Sequence, residues 1–398
     1  MAKPAGRQFI AITDPHTPLE GLARSRGFRR VFPGSPDVGG RYSALAAFGL
    51  VPAALVGLDI GRLLDRAWMM AEACSFCVPD SCNPGLVLGG ALGELAKAGR
   101  DKLTLFTSPG LSAFPAWLEQ LVAESTGKDG RGIVPVADEP PGEPGVYGRD
   151  RTFVLIDADT DPHATARTIV DRLQSQGHPV VRLQLSDPFD LGREIFRWEL
   201  AVAAAGMVLA VHPFNQPDVQ LAKDLASRAM SGAGLQQSAA SDRTIALTRA
   251  VDLRAAVKDW IAGAGPNDYV ALQAYLAPTD RTTGLLEELR VRLRDRLHVA
   301  TTAGYGPRFL HSTGQLHKGG PNSGLFLQLV DEPATDVPVP ETDYTFGQLI
   351  RAQAIGDYEA LVQRDRRVLR VQLGSDTEQG LRAVLAAVES ATMPSGKG

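Results

Sequence analysis

Short apolar runs alternate with longer amphipathic stretches along most of the chain. The runs at 103–106, 152–156 and 180–185 are short and rich in β-branched residues, and turn-forming residues bound them, which predicts buried strands. The stretches between them have the apolar spacing of helices. Strands that alternate with helices are typical of parallel βαβ units. The pattern therefore predicts an α/β fold built on a doubly wound parallel sheet.

The same alternation predicts the organisation of the chain. Residues 41–234 carry one set of strands and helices, which a strand at 208–211 is expected to complete. The small, polar stretch at 235–241 predicts a linker, and 242–392 predict a second, smaller α/β region at the carboxyl end. Residues 1–40 supply only a strand, a helix and a strand, and the tail at 393–398 is expected to be disordered.

The segment D-V-G-G-R-Y-S at 37–43 combines features of an anion site. Gly40 and the glycine before it lack a Cβ, so the backbone can come close to a bound group. Arg41 offers a planar, permanently charged fork that suits oxyanions. Ser43 is expected to cap a helix that begins at Ala44 and leaves free amides facing an anion. A glycine turn before a buried helix, with a surface arginine, explains the same residues, so the segment alone leaves both interpretations open.

Three segments stand out in this order along the chain: D-V-G-G-R-Y-S-A-L-A-A-F-G at 37–49, E-S-T-G-K at 124–128 and F-N-Q-P-D-V-Q-L-A-K at 214–223. Together they resemble signature segments of the phosphoglucose isomerase family. The resemblance implies a sugar-isomerase (SIS) domain with a flavodoxin-like fold over 41–234. It also implies that 1–40 are the remnant of a first SIS domain.

The resemblance also implies roles for single residues. Glu124 would be the catalytic base, and Arg41, with Gly40 and Ser43, would lie in the sugar-phosphate site. Gln216 and Lys223 would reach the substrate, with Lys223 assisting ring opening. The third segment departs from the family pattern at 217, 218 and 220. On the residues alone, Glu124 is equally well explained as a surface residue paired with the lysine four positions on, and Lys223 as part of a solvated helix face.

The family's ring-opening histidine has no direct counterpart. The nearest match to its G-Q-H-x-F segment, at 148–153, contains no histidine. His317, in the polar and glycine-rich segment 311–322, is the expected substitute, with His311 second, because a neutral imidazole suits proton transfer near pH 7. A histidine satisfied within the core is the alternative. The segment 311–322 also resembles the isomerase half of bifunctional transaldolase/phosphoglucose isomerase proteins.

The implied activity is the interconversion of glucose 6-phosphate and fructose 6-phosphate through a cis-enediolate, without a cofactor. The S-G-T-T phosphate-binding element of the family's amino-terminal SIS domain does not occur in the sequence, and neither does a transaldolase barrel. The resemblance therefore implies an amino-terminally truncated isomerase. The alternative is a sugar-phosphate-binding module that needs a separate amino-terminal SIS or transaldolase chain, and a homodimer is also possible.

Bulk properties narrow the function classes further. The net charge of −4 argues against a nucleic-acid partner, since such proteins usually carry a basic patch. No apolar run approaches about 18 residues and no secretory segment begins the chain, so we expect a cytoplasmic protein without a membrane partner. A glycine-rich nucleotide-phosphate loop is absent from the sequence. Cys74, Cys77 and Cys82 have metal-site spacing without a fourth ligand nearby, so reduced thiols and no metal are expected.

Overall fold

The computed structural model describes residues 5–230, 244–246, 250–332 and 335–392, without the side chains of 219–223, 229, 246, 250–251 and 392. The described strands are β1 (Ile10–Thr13), β2 (Arg30–Pro33), β3 (Lys102–Thr107), β4 (Val134–Val136), β5 (Arg151–Ala158), β6 (Val180–Leu185), β7 (Thr244–Ala246), β8 (Tyr269–Tyr275), β9 (Ala300–Tyr305), β10 (Gly324–Val330) and β11 (Arg367–Gln372). The described helices are α1 (Pro18–Ser25), α2 (Ala47–Leu55), α3 (Ile60–Ala73), α4 (Pro84–Lys97), α5 (Phe114–Thr126), α6 (Ala164–Ser175), α7 (Leu191–Leu209), α8 (Val219–Met230), α9 (Ala250–Ala262), α10 (Asp280–Leu297), α11 (Gly314–Gly319), α12 (Phe346–Gln363) and α13 (Thr377–Thr392). The expected linker at 235–241 and the expected tail at 393–398 lie outside the described residues.

The first large sheet has four parallel strands in the order β4-β3-β5-β6. The chain moves outward from β3 to β4 and then returns to the other side of β3 for β5, which is the flavodoxin-like order. Leu105 and Ile156 pack on one face, in a core shared with α4, α5 and α7. Phe153 and Leu155 pack on the other face, against α6. The predicted α/β class with a doubly wound parallel sheet is confirmed.

The end of helix α7 takes the place of the predicted strand at 208–211. Residues 208–211 do not form a strand, because Val208 and Leu209 continue the helix and Ala210 ends it in the left-handed conformation. The reason is the packing of α7 on α4. A Cβ at Gly93 of α4 would lie 2.6 Å from the Val208 Cβ, so the glycine makes room for this last turn.

The second large sheet has five parallel strands in the order β7-β11-β10-β8-β9, although its region spans fewer residues than the first. One face packs against α9, α10 and α13 in the largest hydrophobic core among the described residues. On the other face, Tyr269 and Phe326 contact a core that includes Ala123 of α5 and Leu316 of α11. Helix α5 therefore lies between the two sheets and brings its carboxyl end to both.

Strands β1 and β2 form a separate parallel pair connected by α1. The assignment of 1–40 as the remnant of a first SIS domain, and the boundaries at 41–234 and 242–392, stay predictions. Among the described helices, none combines the length and the apolar character that a membrane crossing requires.

Candidate active site

Arg41 is the centre of the candidate site. It lies on the 3-10 turn Gly40–Tyr42, and only 2% of its surface is exposed. Its Nε donates to the Ser125 hydroxyl at 2.8 Å, and its Nη2 donates to the carbonyls of Pro213 and Asn215 at 2.6 and 3.2 Å. Buried cations require such partners, because an unpaired buried charge is costly. The guanidinium therefore fixes the loop that contains Pro213 and Asn215, and it also places a positive charge in the site.

Nη1 of Arg41 faces the other predicted site residues. It donates to the Gln216 side-chain oxygen at 3.1 Å and lies 3.6 Å from Oε1 of Glu124. Glu124 lies in the last turn of α5 and is 8% exposed. Its other oxygen, Oε2, accepts from Gln120 one turn earlier at 3.1 Å. The structure thus brings Arg41, Glu124 and Gln216 together from three distant segments.

Lys128 is buried beside this group instead of forming a surface pair with Glu124. It is 2% exposed, and its Nζ donates to the carbonyls of Ser125 and His212, both at 2.7 Å. Burial, aided by the charge of Arg41 and opposed by the Glu124 carboxylate, lowers the pKa of Lys128 to about 7. The interpretation of Glu124 as a solvated surface residue is therefore wrong.

The solvent side of the site is aromatic and polar. Phe214 and Gln216 are exposed, and the Phe214 ring lies 5.2 Å from the half-buried Tyr42 ring. The Tyr42 hydroxyl is 3.0 Å from the Ser125 hydroxyl, which links this entrance to Arg41. A Cβ at Gly40 would meet no protein atom within 4 Å, so the space next to the turn is open. On this side, the Gln216 side chain is exposed to solvent and also contacts Nη1 of Arg41.

One local expectation, the helix cap at Ser43, is corrected. Ser43 does not cap a helix, because α2 begins at Ala47 and the Ser43 hydroxyl donates to the Gly40 carbonyl at 2.7 Å, which closes the 3-10 turn. Gln216 does not lie on the helix that carries Lys223, because α8 begins at Val219.

The departure from the family pattern at 218 has a structural role. Asp218 forms an ion pair with Arg364 and, through its amide and carboxylate, hydrogen bonds with Gln315 at 2.9 and 2.7 Å.

The remaining predicted residues are Lys223 and His317. Lys223 lies in the second turn of α8, and its side chain is outside those that the structure describes. His317 lies on α11, buried between Phe309 and Phe326, with its Nδ1 3.2 Å from the Gln273 amide nitrogen. Burial lowers the pKa of His317 well below its usual value, so the ring is neutral. The described contacts of His317 do not include Arg41 or Glu124, and its catalytic role stays a prediction.

Helix α11 nevertheless touches the E-S-T-G-K segment. Gln315 donates to the Gly127 carbonyl at 3.0 Å. A Cβ at Gly127 would lie 2.5 Å from the Leu316 Cα, so this glycine permits the close approach of α11. His317 is therefore on the helix that packs against the end of α5.

No group of three or more His, Cys, Asp or Glu side chains is arranged to hold a metal within the described ranges. Cys74 ends α3 and is half-buried, whereas Cys77 and Cys82 are exposed, and all three are free thiols.

Gln120 is a site residue that was not predicted from the sequence. Its spacing of four positions from Glu124 on one helix could have indicated the contact between the two side chains.

Comparisons of the whole sequence with known proteins find relatives of the kind that the three segments resemble. The glucose-6-phosphate isomerase of Symbiobacterium thermophilum is 32% identical over 258 residues, which cover 55% of this chain and 57% of that protein. The chain is similar in sequence to glucose-6-phosphate isomerases. A second one, from a Cyanothece species, is 40% identical over 135 residues, or 32% of this chain and 25% of that protein.

The extent of this similarity is limited. The chain spans only a little over half the length of the Symbiobacterium relative. The crystal structure of a glucose-6-phosphate isomerase from Chlamydia trachomatis has a TM-score of 0.47 and 18% identity, covering 60% of this chain and 55% of that one. No family model matches the chain.

Proposed function

We propose that this chain interconverts glucose 6-phosphate and fructose 6-phosphate by proton transfer through a cis-enediolate. One observation carries the proposal. Residues from three segments, up to 175 positions apart, meet at one buried guanidinium, with the Glu124 carboxylate next to it. The sequence similarity to glucose-6-phosphate isomerases supports the same assignment.

In the proposed reaction, Glu124 is the base. Its carboxylate removes the proton from C2 of the open-chain aldose, and the C2–H electrons form the enediolate while the aldehyde oxygen becomes negative. The protonated Glu124 then returns the proton to C1, and the hydroxyl proton moves from O2 to O1, which gives the ketose. The hydrogen bond from Gln120 to Oε2 supports this role, because it orients the carboxylate and leaves Oε1 to face the substrate.

Arg41 would stabilise the negative charge of the enediolate. Its Nε and Nη2 bond to Ser125 and to two backbone carbonyls, whereas Nη1 bonds to the exposed Gln216 side chain and lies next to Glu124, so Nη1 is the atom that would contact a substrate oxygen once Gln216 gives way. A cation fixed in a dry site stabilises charge more than one in water, because it needs no reorganisation during the reaction. Lys223 is proposed to assist ring opening, with His317 as the proposed neutral proton carrier.

The test is isomerase turnover of the purified chain on fructose 6-phosphate, coupled to glucose-6-phosphate dehydrogenase. Glu124→Gln keeps the shape and the Gln120 contact but cannot accept the proton, so we expect kcat to fall at least about 100-fold. Glu94→Gln, on the exposed part of α4, is the matched control and should leave kcat unchanged. Wild-type turnover in Glu124→Gln would remove Glu124 as the base. A folded wild-type chain that binds fructose 6-phosphate without turnover would instead indicate a binding module.

The finer assignments are also proposals. We propose that the chain corresponds to the isomerase half of a bifunctional transaldolase/phosphoglucose isomerase and acts in the cytoplasm. We further propose that it associates through exposed apolar side chains on and beside α2 and α3, which are Leu55, Val56, Trp68, Met69 and Phe76. Burying such a surface removes apolar area from water. The mass in sedimentation equilibrium distinguishes a homodimer from a chain that needs an amino-terminal SIS or transaldolase partner.

A further inference from the structure

A cavity of about 520 Å³ opens at the carboxyl edge of the second large sheet, formed by residues other than those of the candidate active site. Its walls include the end of β8 at Tyr275, the end of β10 at Val330 and Asp331 directly after it. Strand β8 pairs with β9 on one side and with β10 on the other, so the chain reverses its direction of winding between β8 and β10. Ligands of open α/β sheets bind at such a switch point, outside the carboxyl ends of the strands.

The walls are mainly apolar and include two aromatic rings. Those apolar and aromatic lining residues are Tyr275, Leu276, Pro278, Val330, Val337, Phe346 and Ile350. The volume falls within the range of about 300–1,000 Å³ that is typical of small-molecule sites. Flat aromatic ligands suit such walls, because stacking and edge contacts between rings add to the gain from apolar burial.

The charged groups of the cavity favour a ligand with hydrogen-bond donors. Asp331 follows β10 directly and is half-buried, and its carboxylate accepts a backbone hydrogen bond from Ala277 and a long one, at 3.5 Å, from the Thr377 hydroxyl. Burial raises the pKa of the Asp331 carboxyl. A donor from a ligand would therefore gain a hydrogen bond with a poorly solvated acceptor.

The same groups disfavour a phosphate. The amino terminus of α12, where an anion would bind, is already occupied by the Asp336 carboxylate, which accepts from the Gly347 amide at 2.8 Å and the Thr345 hydroxyl at 2.5 Å. Among the described lining residues, Arg351 supplies one positive charge against the two aspartates. The sequence also lacks a glycine-rich phosphate loop.

We propose that this cavity binds an uncharged, planar molecule with hydrogen-bond donors, of the size and chemistry of a purine nucleoside. The ring lies against Phe346 and the apolar wall, and an amine or a ribose hydroxyl donates to Asp331. This site is separate from the proposed isomerase site and does not depend on it.

The test is isothermal titration calorimetry of the full chain with adenosine, with AMP as the charged comparison. We expect saturable adenosine binding with a Kd below about 1 mM and weaker binding of AMP. Asp331→Asn should weaken adenosine binding about 10-fold, since one charge-assisted hydrogen bond is lost. Ile350→Trp should abolish binding by filling the cavity.

Two controls define the outcome. Asp65→Asn, an exposed carboxyl on α3, and Glu124→Gln, in the candidate active site, should both bind adenosine like the wild type. Circular dichroism verifies that each variant is folded. Absence of saturation, tighter binding of AMP than of adenosine, or wild-type affinity in both cavity variants would overturn the proposal.

Discussion

At the scale of single residues, the candidate site depends on cations that bind backbone carbonyls. Arg41 and Lys128 together donate to the carbonyls of His212, Pro213 and Asn215. These carbonyls lie in the loop between α7 and α8, where no helix supplies their hydrogen-bond partners. The loop that carries Gln216 is therefore held against the end of α5 by two buried positive charges.

The stability of the chain should report the titration of Lys128. The pKa is about 10.5 in the unfolded chain and about 7 in the folded one. Between these values the unfolded chain binds more protons, so the contribution of Lys128 to stability rises with pH. Below pH 7 both states are protonated, and the cost of burying the ammonium is fully present. From pH 6.5 to 9.5 the urea midpoint of the wild type should therefore rise relative to that of Lys128→Met.

Lys128→Arg supplies the control for this prediction. A guanidinium stays charged across the whole range, so the midpoint of Lys128→Arg should run parallel to that of Lys128→Met. Parallel curves for the wild type and Lys128→Met would show instead that Lys128 does not titrate in this window.

At the scale of elements, one face of α4 determines how closely α7 can pack. Gly85, Gly89 and Gly93 are spaced by four residues and so lie on one side of the helix. At each of them a Cβ would collide with α7, at Gly85 with the Leu200 side chain and at Gly89 with the Ala201 carbonyl. This close contact runs along α7 as far as Val208 in its last turn, just before the loop of the candidate site.

Neighbouring glycines of α4 permit a matched test. Gly89→Ala must displace the backbone of α7, and overpacking of this kind costs about 1–3 kcal/mol. A methyl group added at Gly90 would meet no atom within 4 Å, so Gly90→Ala should stabilise the helix by about 0.5–1 kcal/mol. Urea unfolding of the two variants measures both effects. Equal midpoints would show that α4 and α7 adjust without strain.

At the scale of the whole molecule, a buried polar network joins the two large sheets. Glu139, after β4, accepts from Arg151 of β5 at 3.1 Å and from the hydroxyl and amide of Thr301 of β9 at 2.7 and 3.0 Å. Burial raises the pKa of Glu139, but the adjacent guanidiniums of Arg151 and Arg290 outweigh burial and hold the pKa below its usual value. The carboxylate is therefore charged, and it fixes β9 to the first sheet.

Glu139→Gln should destabilise the chain by about 3–5 kcal/mol, because it leaves the buried Arg151 without its counter-charge. The midpoint of urea unfolding at pH 7 measures this loss. A depressed carboxyl pKa stabilises the fold above the unfolded pKa of 4.5, so the difference from the wild type should shrink as the pH falls below that value. Asp171→Asn, in an exposed pair with Arg182, should change stability by less than about 1 kcal/mol. Equal losses in both variants would contradict the role of the network.

The pattern of apolar and polar residues predicts the α/β class and most of the strands and helices, and the resemblance of three segments to a known family picks out Arg41 and Glu124 as candidate site residues. Apolar periodicity and short motifs act over a few turns, so they are visible in the sequence. The packed structure is needed to show that Gln216 contacts Arg41, that Lys128 is buried and that α7 extends through 208–209. These features depend on which carbonyls, glycines and carboxylates come together from positions far apart in the chain. Burial, which sets the cost of each charge, exists only once the sheets have packed.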